Sequence, residues 1–157
     1  MLKSEVHTAS TPLHLGFSCY VFDAAGRLLL TRRAASKRSF GGLWTNSVCG
    51  HPAPGEAYED AARRRADHEL DLVLADVRVV LPDYRYRAEH QGLVENEVCP
   101  VMVATTDGVP TLHPAEVDDL RWVAWRQFRE WADREPAAFS PWCREQSGLL
   151  QEFGAVG

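Results

Sequence analysis

The sequence predicts an α/β or α+β sandwich, in which a mixed β-sheet is flanked by helices. Two observations lead to this fold class. Segments rich in β-branched and aromatic residues are interspersed with helical segments, and several consecutive strands are separated by tight turns that make them antiparallel. A chain of 157 residues without an internal repeat, a linker or a low-complexity tract further predicts one domain, residues 1–157.

The first predicted element is a β-hairpin. Its strands cover residues 15–22 and 27–32, and the turn between them contains Gly26, where a positive φ angle is needed. A basic, glycine-bearing loop over residues 33–43 then leads to a strand-like stretch at residues 44–52.

A helix is predicted over residues 56–70, after a turn at residues 52–55. Acidic residues near its start suit the positive end of the helix dipole. Small or apolar side chains recur on one side and predict a narrow packing face, formed by Ala57, Ala61, Ala62, Ala66 and Leu70.

The rest of the chain is predicted as strands followed by two helices. The strands are expected at residues 77–81, 84–88, 94–106 and 120–124. Within the long third strand, Pro100 indicates a bulge or an edge position. The helices are expected at residues 125–134 and 141–153, the second with Ser140 as its cap residue and Pro141 in the first helical position.

Composition excludes several classes of protein. The chain has 45% hydrophobic and 25% charged residues, as globular proteins do, and its net charge of −5 argues against general binding to nucleic acid or anionic membranes. Nothing resembles a secretory signal or the roughly 18 apolar residues of a membrane span. Four cysteines without CxxC spacing indicate reduced thiols. We therefore expect a cytoplasmic protein without nucleic-acid or membrane partners. We also expect a monomer.

The stretch from Trp44 to Pro52 combines residue types that favour a functional site. Cys49 and His51 stand two residues apart, so both side chains would point to the same face of a strand. Gly50 between them permits close approach of a backbone or ligand. The alternative for this stretch alone is a buried cysteine beside a core histidine, because free cysteine is among the most buried residue types.

Two glutamates form a second candidate site. Glu95 and Glu97 would share one face of a strand, about 6.6 Å apart along its axis. A divalent cation between them would remove their repulsion, and histidines are suitable further ligands for Mn²⁺, Zn²⁺ or Fe²⁺. The candidate histidines are His7, His14 and His51. The alternative is a solvated strand end with two surface glutamates.

The segment from residue 50 to residue 70 resembles a degraded Nudix box, the loop-helix motif whose carboxylates hold Mg²⁺ against a diphosphate in Nudix hydrolases. Here Arg65 and His68 stand where two of the motif's glutamates are expected, and Glu69 remains. One carboxylate is enough to hold one Mg²⁺, whereas a multi-metal hydrolytic site would lack ligands. An ordinary charged surface helix is the alternative.

Basic and aromatic side chains complete the set of candidates. Guanidinium and ammonium groups suit phosphate oxygens, although a charge run is often simply solvated. The basic residues concerned are Lys3, Arg32, Arg33, Lys37, Arg38 and Arg65. Tyr86 and Trp142 are candidates to line a pocket, because an aromatic face can stabilise a cation. Their alternative role is as ordinary core residues.

Together these segments resemble the type 1 isopentenyl-diphosphate Δ-isomerases. The matching segments are residues 31–33, 44–52, 84–88, 94–100 and 139–142. The Cys-Gly-His and Glu-Asn-Glu-Val-Cys-Pro motifs are specific to that family. The resemblance implies a Nudix-like α/β/α fold and a small isoprenoid diphosphate as substrate. It also implies reversible conversion of isopentenyl diphosphate to dimethylallyl diphosphate through a tertiary carbocation.

The resemblance also implies roles for individual residues. Cys49 and Glu97 would be the acid/base pair on opposite sides of the double bond. Tyr86 would assist proton transfer near Glu97, and Trp142 would face the cation. A Mn²⁺ or Zn²⁺ site is implied at His7, His14, His51, Glu95 and Glu97. Mg²⁺ is implied between Glu69, the Cys49 backbone and the diphosphate, with an anion clamp of Lys3, Arg33, Lys37 and Arg65.

Two other functions stay open on the sequence. One is a Nudix-type hydrolase of nucleoside diphosphate derivatives, against which the missing carboxylates of the box argue. The other is a non-catalytic diphosphate-binding paralogue. It is motivated by the short segment before Lys3, since family members usually carry a longer one.

Overall fold

The computed structural model describes residues 14–152. Its strands are β1 (His14–Leu15), β2 (Phe17–Phe22), β3 (Leu28–Arg33), β4 (Trp44–Thr45), β5 (Val48–Gly50), β6 (Ala75–Leu81), β7 (Arg85–His90), β8 (Leu93–Val98), β9 (Val101–Thr105) and β10 (Val117–Val123). Its helices are α1 (Tyr58–Leu70), α2 (Trp125–Arg134) and α3 (Pro141–Glu152). Among these described residues, no helix has the length and apolar character needed to cross a membrane.

A mixed sheet forms the centre of the molecule. Its strands lie in the order β10-β3-β2-β9-β6, with β4 paired to β3 and β5 paired to β2. The β2–β9 pairing is parallel, whereas β9 is antiparallel to β6 and β3 is antiparallel to β10. A smaller sheet has the order β1-β8-β7.

The prediction of one long strand over residues 94–106 is wrong. The segment forms two strands, β8 and β9, which belong to different sheets and are separated by Cys99 and Pro100. Proline has no N–H to donate to a β-ladder, so the strand is interrupted where that hydrogen bond would have been needed. The break lets β8 carry Glu97 in the smaller sheet while Val101 and Val103 continue into the core.

The two faces of the central sheet are covered by different helices, which confirms the predicted sandwich. Along β2, Phe17, Cys19 and Val21 pack with α1, whereas Tyr20 packs with α2 and α3. The narrow packing face of α1 is confirmed at Ala61, Ala62, Ala66 and Leu70, all of which are buried. Ala57 is exposed and precedes the helix as its N-cap residue.

The predicted hairpin forms at its turn, but its strands separate beyond that point. Gly26 adopts a φ of 79°, as predicted, and β2 pairs with β3 at Phe22 and Leu28 beside the turn. Farther along, β5 pairs with β2 and β4 pairs with β3. We call the gap between β2 and β3, which is filled by Asn46 and Ser47, the fork.

Across the fork, hydrogen bonds from buried side chains take the place of the missing backbone hydrogen bonds between β2 and β3. The Ser47 hydroxyl accepts a hydrogen bond from the Val21 N–H at 2.8 Å and donates to the Leu29 carbonyl at 2.6 Å. The Thr31 hydroxyl donates to the Asn46 carbonyl at 3.0 Å. Because buried backbone groups need partners, these contacts stabilise an opening that would otherwise leave them unpaired.

We predict that Ser47→Ala lowers the free energy of unfolding by about 1–3 kcal/mol, the usual cost of leaving buried polar groups without partners. Urea unfolding followed by circular dichroism measures this loss. Ser36→Ala, at an exposed position, is the matched control and should change stability by no more than about 0.5 kcal/mol. Equal stability of the two variants would contradict the role assigned to Ser47.

Candidate active site

One pocket at the mouth of the fork brings together most of the predicted site residues. It is lined by nine of them: Arg33, Lys37, Cys49, His51, Arg65, Glu69, Tyr86, Glu97 and Trp142. They come from β3 and the loop after it, β5 and the residue after it, α1, β7, β8 and α3. Lys3 and His7 lie outside the described residues, as do the side chains of His14 and Glu95.

The Cys49 thiol is held as a neutral donor. Its Sγ donates to the Asn46 Oδ1 at 3.2 Å and lies 3.7 Å from the Ser18 hydroxyl. Burial raises the pKa of Cys49 to about 11, although Ser18 and the guanidinium of Arg33 act in the opposite direction. The thiol therefore keeps its proton at neutral pH, as a proton donor must.

The Glu97 carboxylate is buried in the same pocket, with 5% of the residue exposed. The Tyr86 hydroxyl donates to its Oε2 at 3.0 Å. A Cβ atom at position 16 would overlap this carboxylate, so Gly16 leaves the space that Glu97 occupies. Cys49 and Glu97 are close enough for the carboxylate charge to raise the pKa of the thiol.

His51 is oriented in the way that metal-binding histidines usually are. Its Nδ1 lies 2.8 Å from the Leu15 carbonyl oxygen, which can only accept, so in the neutral ring the proton is on Nδ1. Nε2 then carries the lone pair with which a histidine binds a metal, and it lies 3.6 Å from the Glu97 Oε1. The imidazole nitrogen and the carboxylate oxygen therefore fit one divalent cation.

The backbone brings a further predicted ligand position to this point. In the parallel β1–β8 pairing, His14 is the register partner of Glu97. Among the described side chains, no group of three or more His, Cys, Asp or Glu is gathered in metal-binding geometry. The predicted five-residue metal set therefore stays a prediction, and the described side chains show only that two of its members, His51 and Glu97, lie close together.

Trp142 is a buried aromatic wall of the pocket. Its ring stacks on Tyr86 at a centroid distance of 5.4 Å, and Phe40 meets it edge-on at 5.0 Å. The guanidinium carbon of Arg33 lies 5.6 Å from the ring centroid. The indole thus already has a positive group close to it, as expected for a ring that stabilises cations.

Basic and acidic groups alternate in another part of the pocket lining. Arg65 Nη2 lies 2.5 Å from the Glu69 Oε1 and 3.5 Å from the Glu116 Oε2, and Lys37 Nζ lies 2.6 Å from that same Glu116 oxygen. Burial raises the pKa of Glu69, and the positive charge of Arg65 opposes this. The buried Nε of Arg65 has no hydrogen-bond partner among the described residues.

Some functional candidates were not predicted from the sequence. Asn46, Ser18 and Glu116 contact Cys49, Lys37 or Arg65, and Phe40 supports Trp142. Asn46 stood within the Trp44–Pro52 stretch, where a run of three polar residues between Trp44 and Val48 was the available signal. The other three lie outside the candidate motifs. Arg32, predicted in the basic cluster, instead pairs with Asp118 at 2.6 Å.

The chain is similar to known proteins over most of its length. A model of the NUDIX domain matches residues 12–143. The isopentenyl-diphosphate Delta-isomerase of Mycolicibacterium vanbaalenii is 56% identical over 155 residues, which cover 97% of this chain and 84% of that protein. The isopentenyl-diphosphate Delta-isomerase of Frankia alni is 57% identical over 142 residues, covering 90% of this chain and 73% of that protein.

Solved structures share the fold at much lower identity. A Deinococcus radiodurans protein aligns with a TM-score of 0.70 and 21% identity over 95% of this chain and 89% of its own. The MutT protein of Methanosarcina mazei aligns with a TM-score of 0.64 and 16% identity over 92% of this chain and 97% of its own. These likenesses confirm the predicted Nudix-like fold.

We predict that the rate at which iodoacetamide alkylates the Cys49 thiol keeps rising up to strongly alkaline pH. With a pKa of about 11, the thiol stays protonated below that pH. The alkylation rate of metal-free protein should therefore rise about tenfold per pH unit through pH 9. The alkylation rate of glutathione, a reference thiol with an ordinary pKa, should already level off there. Mass spectrometry identifies the alkylated residue, and Cys49→Ser is the control. A profile that levels off near pH 8 would contradict the raised pKa.

Proposed function

Given that the chain belongs to the isopentenyl-diphosphate Delta-isomerases, a family built on the Nudix domain, we propose that it interconverts isopentenyl diphosphate and dimethylallyl diphosphate with Cys49 and Glu97 as its acid/base pair. The observation that carries the proposal is the presence of the Cys49 thiol, whose pKa is raised by burial, and the buried Glu97 carboxylate in one pocket. Proton addition and proton removal at one alkene require a proton donor and a proton acceptor, and these two groups can supply them.

The proposed reaction moves one double bond by two proton transfers. The Cys49 thiol gives its proton to the terminal CH₂ of isopentenyl diphosphate, because this places the positive charge on the tertiary carbon. Glu97 then removes a proton from the neighbouring CH₂ next to the diphosphate-bearing carbon. The electrons of that C–H bond form the new double bond of dimethylallyl diphosphate. The thiolate and the protonated carboxyl group that remain exchange protons before the next turnover.

The aromatic wall suits the charge that forms between these steps. The Trp142 indole, backed by Tyr86 and Phe40, would lie along the tertiary cation and lower its energy by a cation–π contact. A buried position also keeps water from capturing the cation. The Tyr86 hydroxyl, which donates to Glu97, orients the carboxylate for proton transfer.

The basic side of the pocket suits the diphosphate. Arg33, Lys37 and Arg65 would bind its oxygens, with Lys3 as a further donor proposed from the family resemblance. Glu69 is the carboxylate that would hold Mg²⁺ beside the Cys49 backbone, where the ion would neutralise and anchor the diphosphate. His51 and Glu97, together with His7, His14 and Glu95, would hold Mn²⁺ or Zn²⁺, which would keep the Glu97 carboxylate ionised and oriented.

A hydrolytic function fits the site less well. Arg65 and His68 stand at two positions of the Nudix box where hydrolases have metal-binding glutamates. Arg65 also forms an ion pair with Glu69, the glutamate of the motif that this chain retains. One Mg²⁺ anchored through Glu69 suits substrate binding, since activation of water needs more carboxylate ligands than the box retains.

We predict that Cys49→Ala and Glu97→Gln each lower kcat by about 10²- to 10⁴-fold, the range that a positioned acid or base contributes. Proton NMR of isopentenyl diphosphate in D₂O with Mg²⁺ and Mn²⁺ follows the reaction. The native protein should give dimethylallyl diphosphate carrying deuterium at the allylic positions.

Matched controls separate chemistry from folding. Cys19→Ala removes a thiol that packs on the α1 side of the sheet, and Glu130→Gln removes an exposed carboxylate of α2. Both should keep native turnover. Full activity in Cys49→Ala or Glu97→Gln would contradict the acid/base assignment, and release of phosphate from the substrate would favour hydrolysis.

A further inference from the structure

We propose that Asn46 is a positioning residue for the isomerisation, and that its side-chain carbonyl orients both the Cys49 thiol and the Trp142 indole. This inference rests on the proposed isomerase function. Asn46 contacts neither the diphosphate-binding side chains nor the Glu97 carboxylate in the described contacts. Its role would be exerted through the proton donor and the aromatic wall.

Three donors converge on one atom of Asn46. Its Oδ1 accepts from the Cys49 thiol at 3.2 Å, from the Trp142 indole Nε1–H at 3.3 Å and from the Thr45 hydroxyl at 2.9 Å. Cys49 and Trp142 are 93 positions apart in the sequence, on β5 and α3. A single oxygen therefore fixes the relative placement of the proposed proton donor and the proposed cation-stabilising ring.

That oxygen is itself held rigidly. The Asn46 amide nitrogen donates to the Cys19 carbonyl at 3.2 Å and to the Val48 carbonyl at 2.8 Å, and the residue is fully buried. The indole N–H can only donate and the two backbone carbonyls can only accept, so the orientation of the amide is unambiguous. Asn46 thereby ties the two side chains to the backbone of β2 and β5.

The number of donors has a consequence for proton transfer. A carbonyl oxygen has two lone pairs, and the thiol is the weakest of the three donors. When the thiol turns its proton toward the substrate, the indole and the Thr45 hydroxyl still satisfy the oxygen. The Ser140 hydroxyl, 2.8 Å from that of Thr45, continues this chain of hydrogen bonds into the start of α3. Asn46 thus holds the thiol in place at rest and releases its proton at small cost.

Two substitutions distinguish positioning from a purely structural role. Asn46→Ala removes every contact of the amide. Asn46→Asp keeps an oxygen for the thiol and the indole, but it loses the N–H groups that bind the Cys19 and Val48 carbonyls. Ser47→Ala is the matched control, because it weakens the same fork without touching Cys49 or Trp142.

The experiment combines turnover with an NMR signal that does not depend on substrate. In the unliganded protein, the Trp142 indole N–H resonance, assigned with Trp142→Phe, should move upfield in Asn46→Ala and stay near its native position in Asn46→Asp and Ser47→Ala. With isopentenyl diphosphate and Mg²⁺, kcat should fall about 10²-fold in Asn46→Ala with little change in KM, as expected for a misplaced reacting group. Asn46→Asp should recover part of that loss.

The measurements distinguish a failure of the role proposed for Asn46 from a failure of the proposed isomerase function. Native kcat and a native indole resonance in Asn46→Ala would overturn the inference. The inference would also be overturned if Asn46→Asp showed neither a native-like indole resonance nor any recovery of kcat. Because this variant is measured separately, the test stays decisive if Asn46→Ala does not fold. Equal effects of Ser47→Ala and Asn46→Ala would also overturn it, because fork stability alone would then explain the loss. Absence of turnover in the native protein contradicts the proposed function itself, whereas the indole resonance reports on Asn46 in either case.

Discussion

The fork between β2 and β3 is the structural constraint on which the rest of the site depends. Two strands of a hairpin would normally pair along their length, but here β4 and β5 occupy the space between them. Buried hydrogen bonds from Asn46 and Ser47 satisfy the backbone groups that this opening exposes. The opening brings Cys49 to the pocket, and the same segment reaches Trp142 on α3 through the Asn46 carbonyl.

The pocket combines a neutral thiol and an aromatic wall with several charged groups. On one side, burial keeps the Cys49 thiol protonated next to the aromatic wall of Trp142. On the other side, Arg65 and Lys37 meet the carboxylates of Glu69 and Glu116. A substrate with an apolar alkene at one end and a diphosphate at the other matches this division. This combination is what one small pocket needs in order to bind an isoprenoid diphosphate.

The sequence was sufficient for the fold class, the helices and nine of the residues that line the pocket, because these follow from periodicity, from short motifs and from the family resemblance. It did not reveal the fork, because β4 and β5 are two and three residues long and too short to show a period. It also did not reveal Asn46, whose contact with Trp142 joins residues 96 positions apart. The break at Pro100 was predicted as a bulge or an edge position, since a proline in a strand does not indicate which sheet each half will join.

The central claim is that Cys49 and Glu97 face the two ends of one allylic system. A crystal structure of Glu97→Gln with isopentenyl diphosphate and Mg²⁺ tests it directly, because that variant should bind the substrate without converting it. We predict that the terminal CH₂ lies about 3–3.5 Å from the Cys49 sulfur, and that the CH₂ to be deprotonated lies at a similar distance from the amide group that replaces the Glu97 carboxylate. The account would be contradicted if both of these CH₂ groups lay closer to Cys49 than to residue 97, or if the alkene lay outside the pocket lined by Trp142.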